Sequence, residues 1–196
     1  MLTFWEDDIH YNIDKIENII LRSCNLEKKL FSNDTVIREI DIDICKSFIN
    51  NNSIKKYIIS NINLGLFKDD KLLFVMTFSN NNDNNYTLNQ ICYKNNLYVI
   101  NSEKLLLYYF FNNYKFNKLI TYCDLKIENN KLYEKLGFKL NSDKLKFNLN
   151  YYNYRTTEHR INKKEVNQLL KLDDSDSLED YMKCYSGYLI YEKENV

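Results

Sequence analysis

With 196 residues, 44% of them hydrophobic and 28% charged, the chain can bury one core and carry small appendages. Composition excludes collagen-like, mucin-like and disulfide-scaffold classes, and no apolar run approaches the ~20 residues that span a bilayer. The zero net charge is segregated: residues 1–43 carry 5 basic and 10 acidic groups, 44–138 carry 12 and 7, 139–171 carry 8 and 3, and 172–196 carry 2 and 7.

Taken in chain order, Ile9, Ile13, Ile16, Ile20 and Cys24 recur at helical spacing, which predicts an amphipathic helix over 8–24. The β-branched stretch 35–40 predicts a strand. Asp43 is placed to cap a short helix that turns Ile44, Phe48 and Ile49 inward. Ile62, Leu64 and Leu66 alternate, KDDK (68–71) turns, and LLFVMTF (72–78) returns, so 61–67 and 72–79 predict a β-hairpin. Tyr86, Leu88, Gln90 and Cys92 alternate as a third strand, 86–93. Ser102 can cap a helix over 102–114, packed through Leu105, Leu106, Tyr109 and Phe110. KLITYC (118–123) predicts a strand. Asn129 or Asn130 caps KLYEKL, and Gly137 stands where a helix-ending glycine belongs. Strand character resumes over 138–149, weaker helices follow at 163–171 and after Ser177, and GYLIY (187–191) closes as a strand. The order β-α-β-β-β-α-β-α-β implies a mixed α/β sheet with helices on both faces. The organisation expected is an N-terminal helical segment (1–34), a central domain (35–150) and a basic-then-acidic extension (151–196) packed on it.

The acidic opening MLTFWEDDIH lacks the layout of a signal peptide, so a soluble, cytoplasmic protein is expected. Five dispersed cysteines without CxxC argue for reduced, mostly buried thiols and against a zinc site; no metal is expected. Ala and Pro are absent while Asn occurs 30 times and Lys 23 times. That bias points to a very AT-rich genome, such as a virus or phage, an endosymbiont or a parasite. The run NNNDNN (80–85) reads as a drifted loop.

Element order and the segment NNKLYEKLGF (129–138) resemble the GNAT superfamily of N-acetyltransferases. A closer resemblance is to phage GNAT-like domains found behind Vsr-like or homing-endonuclease segments, and a more distant one to Mom-like enzymes that modify adenine in DNA. It rests on FWEDDIHYNIDKIENIILRSCNL at the start, INLGLFKDDKLLFVMTF (62–78) and ITYCDLKIENNKLYEKLGF (120–138). The resemblance implies an acyl-CoA-dependent N-acyltransferase of viral type, with nucleic acid as a candidate acceptor. It implies that Tyr133 is the general acid protonating the leaving thiolate. The family's glycine-bearing pyrophosphate loop corresponds to YVINSEK (98–104), which has no glycine. Ser53, Ile54, Lys55 and Lys56 stand where the phage domains have H-I-Q-G, Gln90 where they have Arg, and Ile127 where they have Trp.

Asp124 ends a strand at the mouth of the sheet, as a general base or as a turn former. Ile100, Asn101, Ser102 and Lys104 head the long helix, where backbone amides and the Lys104 amine hold an anion such as the acyl-CoA pyrophosphate, or cap the helix and nothing more. Tyr152, Tyr154, Arg155, Arg160, Lys163 and Lys164 form an aromatic-then-basic stretch suited to single-stranded or flipped bases, or to a solvated edge strand. Three readings stay open: an acyl-CoA-dependent transferase, a degenerate module binding DNA or a protein partner, and a relic of a mobile-element endonuclease.

Overall fold

Alternating buried and exposed side chains build the sheet around the hairpin that the sequence marks most strongly. A computed structural model describes residues 2, 4, 6–125, 127–128, 130–142, 149–153, 159–160, 180–184 and 188–195. The chain begins with α1 (Glu6–Ser23), a short strand β1 (Lys28–Phe31), β2 (Val36–Glu39) and α2 (Ile42–Asn52). Then come β3 (Ile62–Lys68), β4 (Lys71–Asn80), β5 (Asn85–Tyr93), β6 (Leu97–Ile100) and α3 (Ser102–Asn113). β7 (Lys118–Asp124), α4 (Asn130–Lys135), β8 (Lys139–Ser142), β9 (Leu149–Asn153), β10 (His159–Arg160), β11 (Asp180–Cys184) and β12 (Tyr188–Glu194) complete the described elements.

The main sheet has the order β2-β3-β4-β5-β7-β12-β8. Its pairs are antiparallel except β5–β7, which is parallel and is joined through β6 and α3. The β3–β4 pair is the expected hairpin, and its turn places Asp69 and Asp70 at φ of 48° and 58°. Two successive left-handed residues are what a two-residue hairpin loop needs. Nine described non-glycine residues have positive φ, and all nine are Asn or Asp. These short polar side chains tolerate the left-handed region where other residues are strained. In a chain with three glycines, Asn and Asp make the turns.

α3 packs on one face of the sheet through Leu106, Leu107 and Phe110, all buried. Leu105 and Tyr109, expected on that face, are half-buried at its edge. Leu106→Ala is expected to cost about 2–5 kcal/mol in chemical denaturation, the range for a fully buried leucine. A cost near zero would place Leu106 off the core. α2 covers the other face with Cys45 and Ile49 against Val75 and Cys92. Its N-cap is Asp41 rather than Asp43, so Ile44 turns outward and Cys45 inward. In α1 only Ile16 of the expected stripe is buried, while Ile9, Ile13 and Ile20 are exposed. Asn12 breaks the helix with φ of −137° and ψ of 31°, which separates Ile9 from the segment carrying Ile13, Ile16 and Ile20.

The structure adds elements that the sequence reading lacks. β1 and β6 form a parallel two-stranded ribbon. The expected strand over 138–149 is described as β8 and the start of β9, in different sheets. A helix after Ser177 is expected, but Asp180–Cys184 is a strand, because it pairs antiparallel with β9. The helix expected at 163–171 lies outside the described residues. β12 sits inside the main sheet between β7 and β8.

Burial pushes the thiols of Cys45, Cys92 and Cys123 up from 9.0 to about 12. The folded form therefore keeps protons that the unfolded chain releases. Stability from these groups is complete below about pH 9 and is lost as pH rises toward 12. Urea midpoints are expected to hold up to about pH 8.5 and to fall above it, less steeply in a Cys45→Ala variant. Equal slopes in the two proteins would remove the thiol from the explanation.

Candidate active site

β5 and β7 run side by side only from Asn85 to Leu88 and from Lys118 to Thr121. β5 then continues to Tyr93 and β7 to Asp124, so the two parallel strands part at their carboxyl ends. A crevice at the carboxyl ends of parallel strands is where open α/β sheets bind ligands.

The turn after β7 fills this crevice with polar groups. The Ile127 and Glu128 amides donate to the Asp124 carbonyl at 3.3 and 2.8 Å. That turn folds Glu128 back, and its Oε2 accepts the Asp124 amide at 3.3 Å. The same oxygen accepts the Tyr133 hydroxyl at 2.8 Å. From the 53–58 segment, Lys55 Nζ ion pairs with Glu128 Oε1 and lies 3.5 Å from Asp124 Oδ2. The Asp124 side chain is 7% exposed, and those of Lys55 and Glu128 are 28% exposed.

Tyr133 is held by α4, whose Gly137 ends it at φ of 81°. Phe138 N–H returns to the Tyr133 carbonyl at 3.0 Å, closing the helix end. The Tyr133 ring stacks on Tyr191 at 5.5 Å and meets Phe138 edge-on. Burial, reinforced by the Glu128 carboxylate, holds its hydroxyl well above the usual tyrosine range. The group is therefore a protonated donor. Burial disfavours the Lys55 ammonium, but Glu128 and Asp124 outweigh it and hold its pKa above the ordinary lysine value. One carboxylate thus bridges a cation and a phenol, an arrangement able to relay protons.

The cavity left between the parted strands is about 10 Å³, lined by Leu88, Gln90, Thr121, Lys55, Glu128 and Tyr133 among others. That is room for about one water. A second groove of about 210 Å³ lies between α3 and α4, with Leu107, Tyr108, Phe111 and Leu136 as its floor and Lys104 and Lys135 as its cations.

The expected site residues divide into groups. Asp124 and Tyr133 come together around Glu128. Ile100 belongs to the β1–β6 ribbon, opposite Phe31. Asn101 takes the left-handed conformation (φ 63°, ψ 14°) just before α3, the backbone shape a glycine would otherwise supply. Ser102 is buried, and Lys104 is exposed on the α3–α4 groove. Glu103 turns inward and accepts the Tyr93 hydroxyl. Tyr152 lies on β9 and Arg160 on β10, whereas Tyr154, Arg155, Lys163 and Lys164 lie outside the described residues. Among the described residues, no three His, Cys, Asp or Glu side chains gather as a metal site, and no helix is long and apolar enough to cross a membrane.

Lys55 and Glu128 were not singled out from sequence. The available signals were a second carboxylate four residues beyond Asp124 and a lysine where the resembling domains carry H-I-Q-G.

The sequence matches no family model and no curated protein. Solved structures do match. Ard1 from Thermoplasma volcanium aligns at TM-score 0.51 and 8% identity, over 83% of this chain and 99% of that one. The ribosomal-protein-S18-alanine N-acetyltransferase from Escherichia coli aligns at TM-score 0.51 and 12% identity, over 82% of this chain and 93% of that one. At these identities the likeness is one of fold, and the fold is that of the GNAT acetyltransferases.

Proposed function

We propose that this chain is a GNAT-fold N-acyltransferase with an acyl-CoA donor, in which Tyr133 is the general acid and the Asp124–Glu128 pair receives the acceptor's proton. The observation that carries this reading is the Tyr133 hydroxyl donating to Glu128 at 2.8 Å where β5 and β7 part. An acyl-CoA supplies a thioester whose sulfur leaves as a thiolate. A buried phenol that stays protonated is suited to give that sulfur a proton, and adjacent carboxylates to take one from an amine. Lys104 and Lys135 would hold donor phosphates beside the apolar α3–α4 groove, and Asn101 keeps the turn ahead of α3 without glycine. The fold's solved examples include an enzyme named for N-acetylation of alanine. Binding is tested by calorimetric titration of acetyl-CoA and CoA into the full chain. Dissociation constants within about 1 μM–1 mM are expected, the usual range of enzyme substrates.

A second reading is favoured by the small cavity of about 10 Å³ between the parted strands. On it, the chain is a non-catalytic module, a relic of a phage-type mobile-element protein, that holds DNA or a protein partner, DNA through the basic middle region flanked by the stretch 151–164. Absence of acetyl-CoA and CoA binding in the titration, together with a salt-sensitive shift of labelled DNA, would select this reading over the first.

A further inference from the structure

The inner end of the crevice already contains an amine, and it is the chain's own. Lys55 Nζ pairs with Glu128 Oε1 and faces Asp124 at 3.5 Å, while Glu128 Oε2 accepts the Tyr133 hydroxyl at 2.8 Å. A base beside the nitrogen and an acid on the base's other oxygen are what acyl transfer to an amine requires.

The segment carrying Lys55 is fastened on both sides. The Lys55 amide donates to Ser53 Oγ at 3.1 Å. Buried Gln90 on β5 donates Nε2 to the Lys56 carbonyl at 2.9 Å and accepts the Ile58 amide on Oε1 at 2.8 Å. Ordering a loop and a long side chain costs conformational entropy, and a half-exposed ion pair returns little of it. The restraint has a clearer reason if it aims an amine.

We propose that Lys55 is an internal acyl acceptor: its amine takes the acyl group of an acyl thioester presented in the crevice. The inference rests on the acyltransferase reading above. In the step, the Lys55 ammonium, which Glu128 and Asp124 stabilise, first gives one proton to solvent, a cost that the positioned acid and base offset. The freed nitrogen bonds to the thioester carbonyl carbon and the carbon–sulfur bond breaks. The departing sulfur takes the Tyr133 proton. Glu128 accepts the remaining excess proton from nitrogen and returns it to the Tyr133 oxygen. The products are an amide at Lys55 and a thiol, with one proton released. The Lys55 side chain is 28% exposed.

The full chain is incubated with acetyl-CoA carrying an isotope-labelled acetyl group, and each lysine is followed by peptide mass spectrometry. Lys55 is expected to label about a hundredfold faster than the exposed Lys46 and Lys94, the acceleration expected of positioned acid–base groups. Glu128→Gln and Tyr133→Phe should each slow Lys55 alone and leave Lys46 and Lys94 unchanged. Circular dichroism establishes that the variants are folded; if either is not, the wild-type ratio of Lys55 to Lys46 decides. A ratio near one overturns the proposal. If acetyl-CoA still binds in that case, only the internal acceptor falls. If it does not bind, and the nucleotide-free thioester S-acetyl-N-acetylcysteamine also leaves Lys55 at background, the acyltransferase reading falls with it.

Discussion

Tyr133→Phe is expected to slow acyl transfer about a hundredfold while leaving the affinity for acetyl-CoA nearly unchanged. The substitution removes one oxygen. The ring keeps its stack on Tyr191 and its edge contact with Phe138, so α4 remains in place. Glu128 loses the phenol but keeps Lys55. What disappears is a proton donor that burial keeps charged with its proton at every ordinary pH. Steady-state kinetics beside calorimetry reads the two effects separately. A raised KM with kcat intact would place the hydroxyl in binding, and an unchanged kcat/KM would end its role as an acid.

Phe110→Ala is expected to be the most damaging single truncation, at about 3–5 kcal/mol in urea or thermal denaturation. Phe110 is fully buried on α3 and stacks on Phe78 of β4 at 4.2 Å and 10°. It also meets Tyr86 edge-on and packs near Phe111, Tyr114 and Phe116. Aromatic pairs of this kind add to the burial of their area. α3 is also the helix that presents Asn101 and Lys104, so a donor affinity that drops together with stability would tie the core to the site. A loss below about 1 kcal/mol would mean that the neighbouring rings close over the gap.

Elements whose partner faces follow from local periodicity were legible. The β3–β4 hairpin, β5, α3, β7 and the Gly137-terminated α4 all show in spacing alone. β1 and β6 did not, because KKLF and LYVI are four-residue stretches whose partner lies about seventy positions away. The α1 stripe foretold the helix but not its burial, since Ile16 is buried while Ile13 and Ile20 of the same segment are exposed. Asp124 stood out as the residue that ends β7, and Tyr133, inside α4, stood out through the resemblance. Lys55 and Glu128 come from polar turns, where no period announces which way a side chain points. The missing glycine at 98–104 was misleading for another reason. Asn101 takes the left-handed conformation just before α3, a backbone shape that a glycine would otherwise supply.

The place of β12 bears on how the chain acquires its shape during synthesis. β7 ends at Asp124, yet its antiparallel neighbour begins at Tyr188. At elongation rates of about 5–20 residues per second, roughly 3–13 s separate the emergence of the two from the ribosome. Through that interval β7 presents an open edge, and the Tyr133 ring lacks the Tyr191 ring it stacks against. The nascent chain can pair β2 through β7 early, but the Tyr133 ring finds its stacking partner only when this late strand joins β7 and β8.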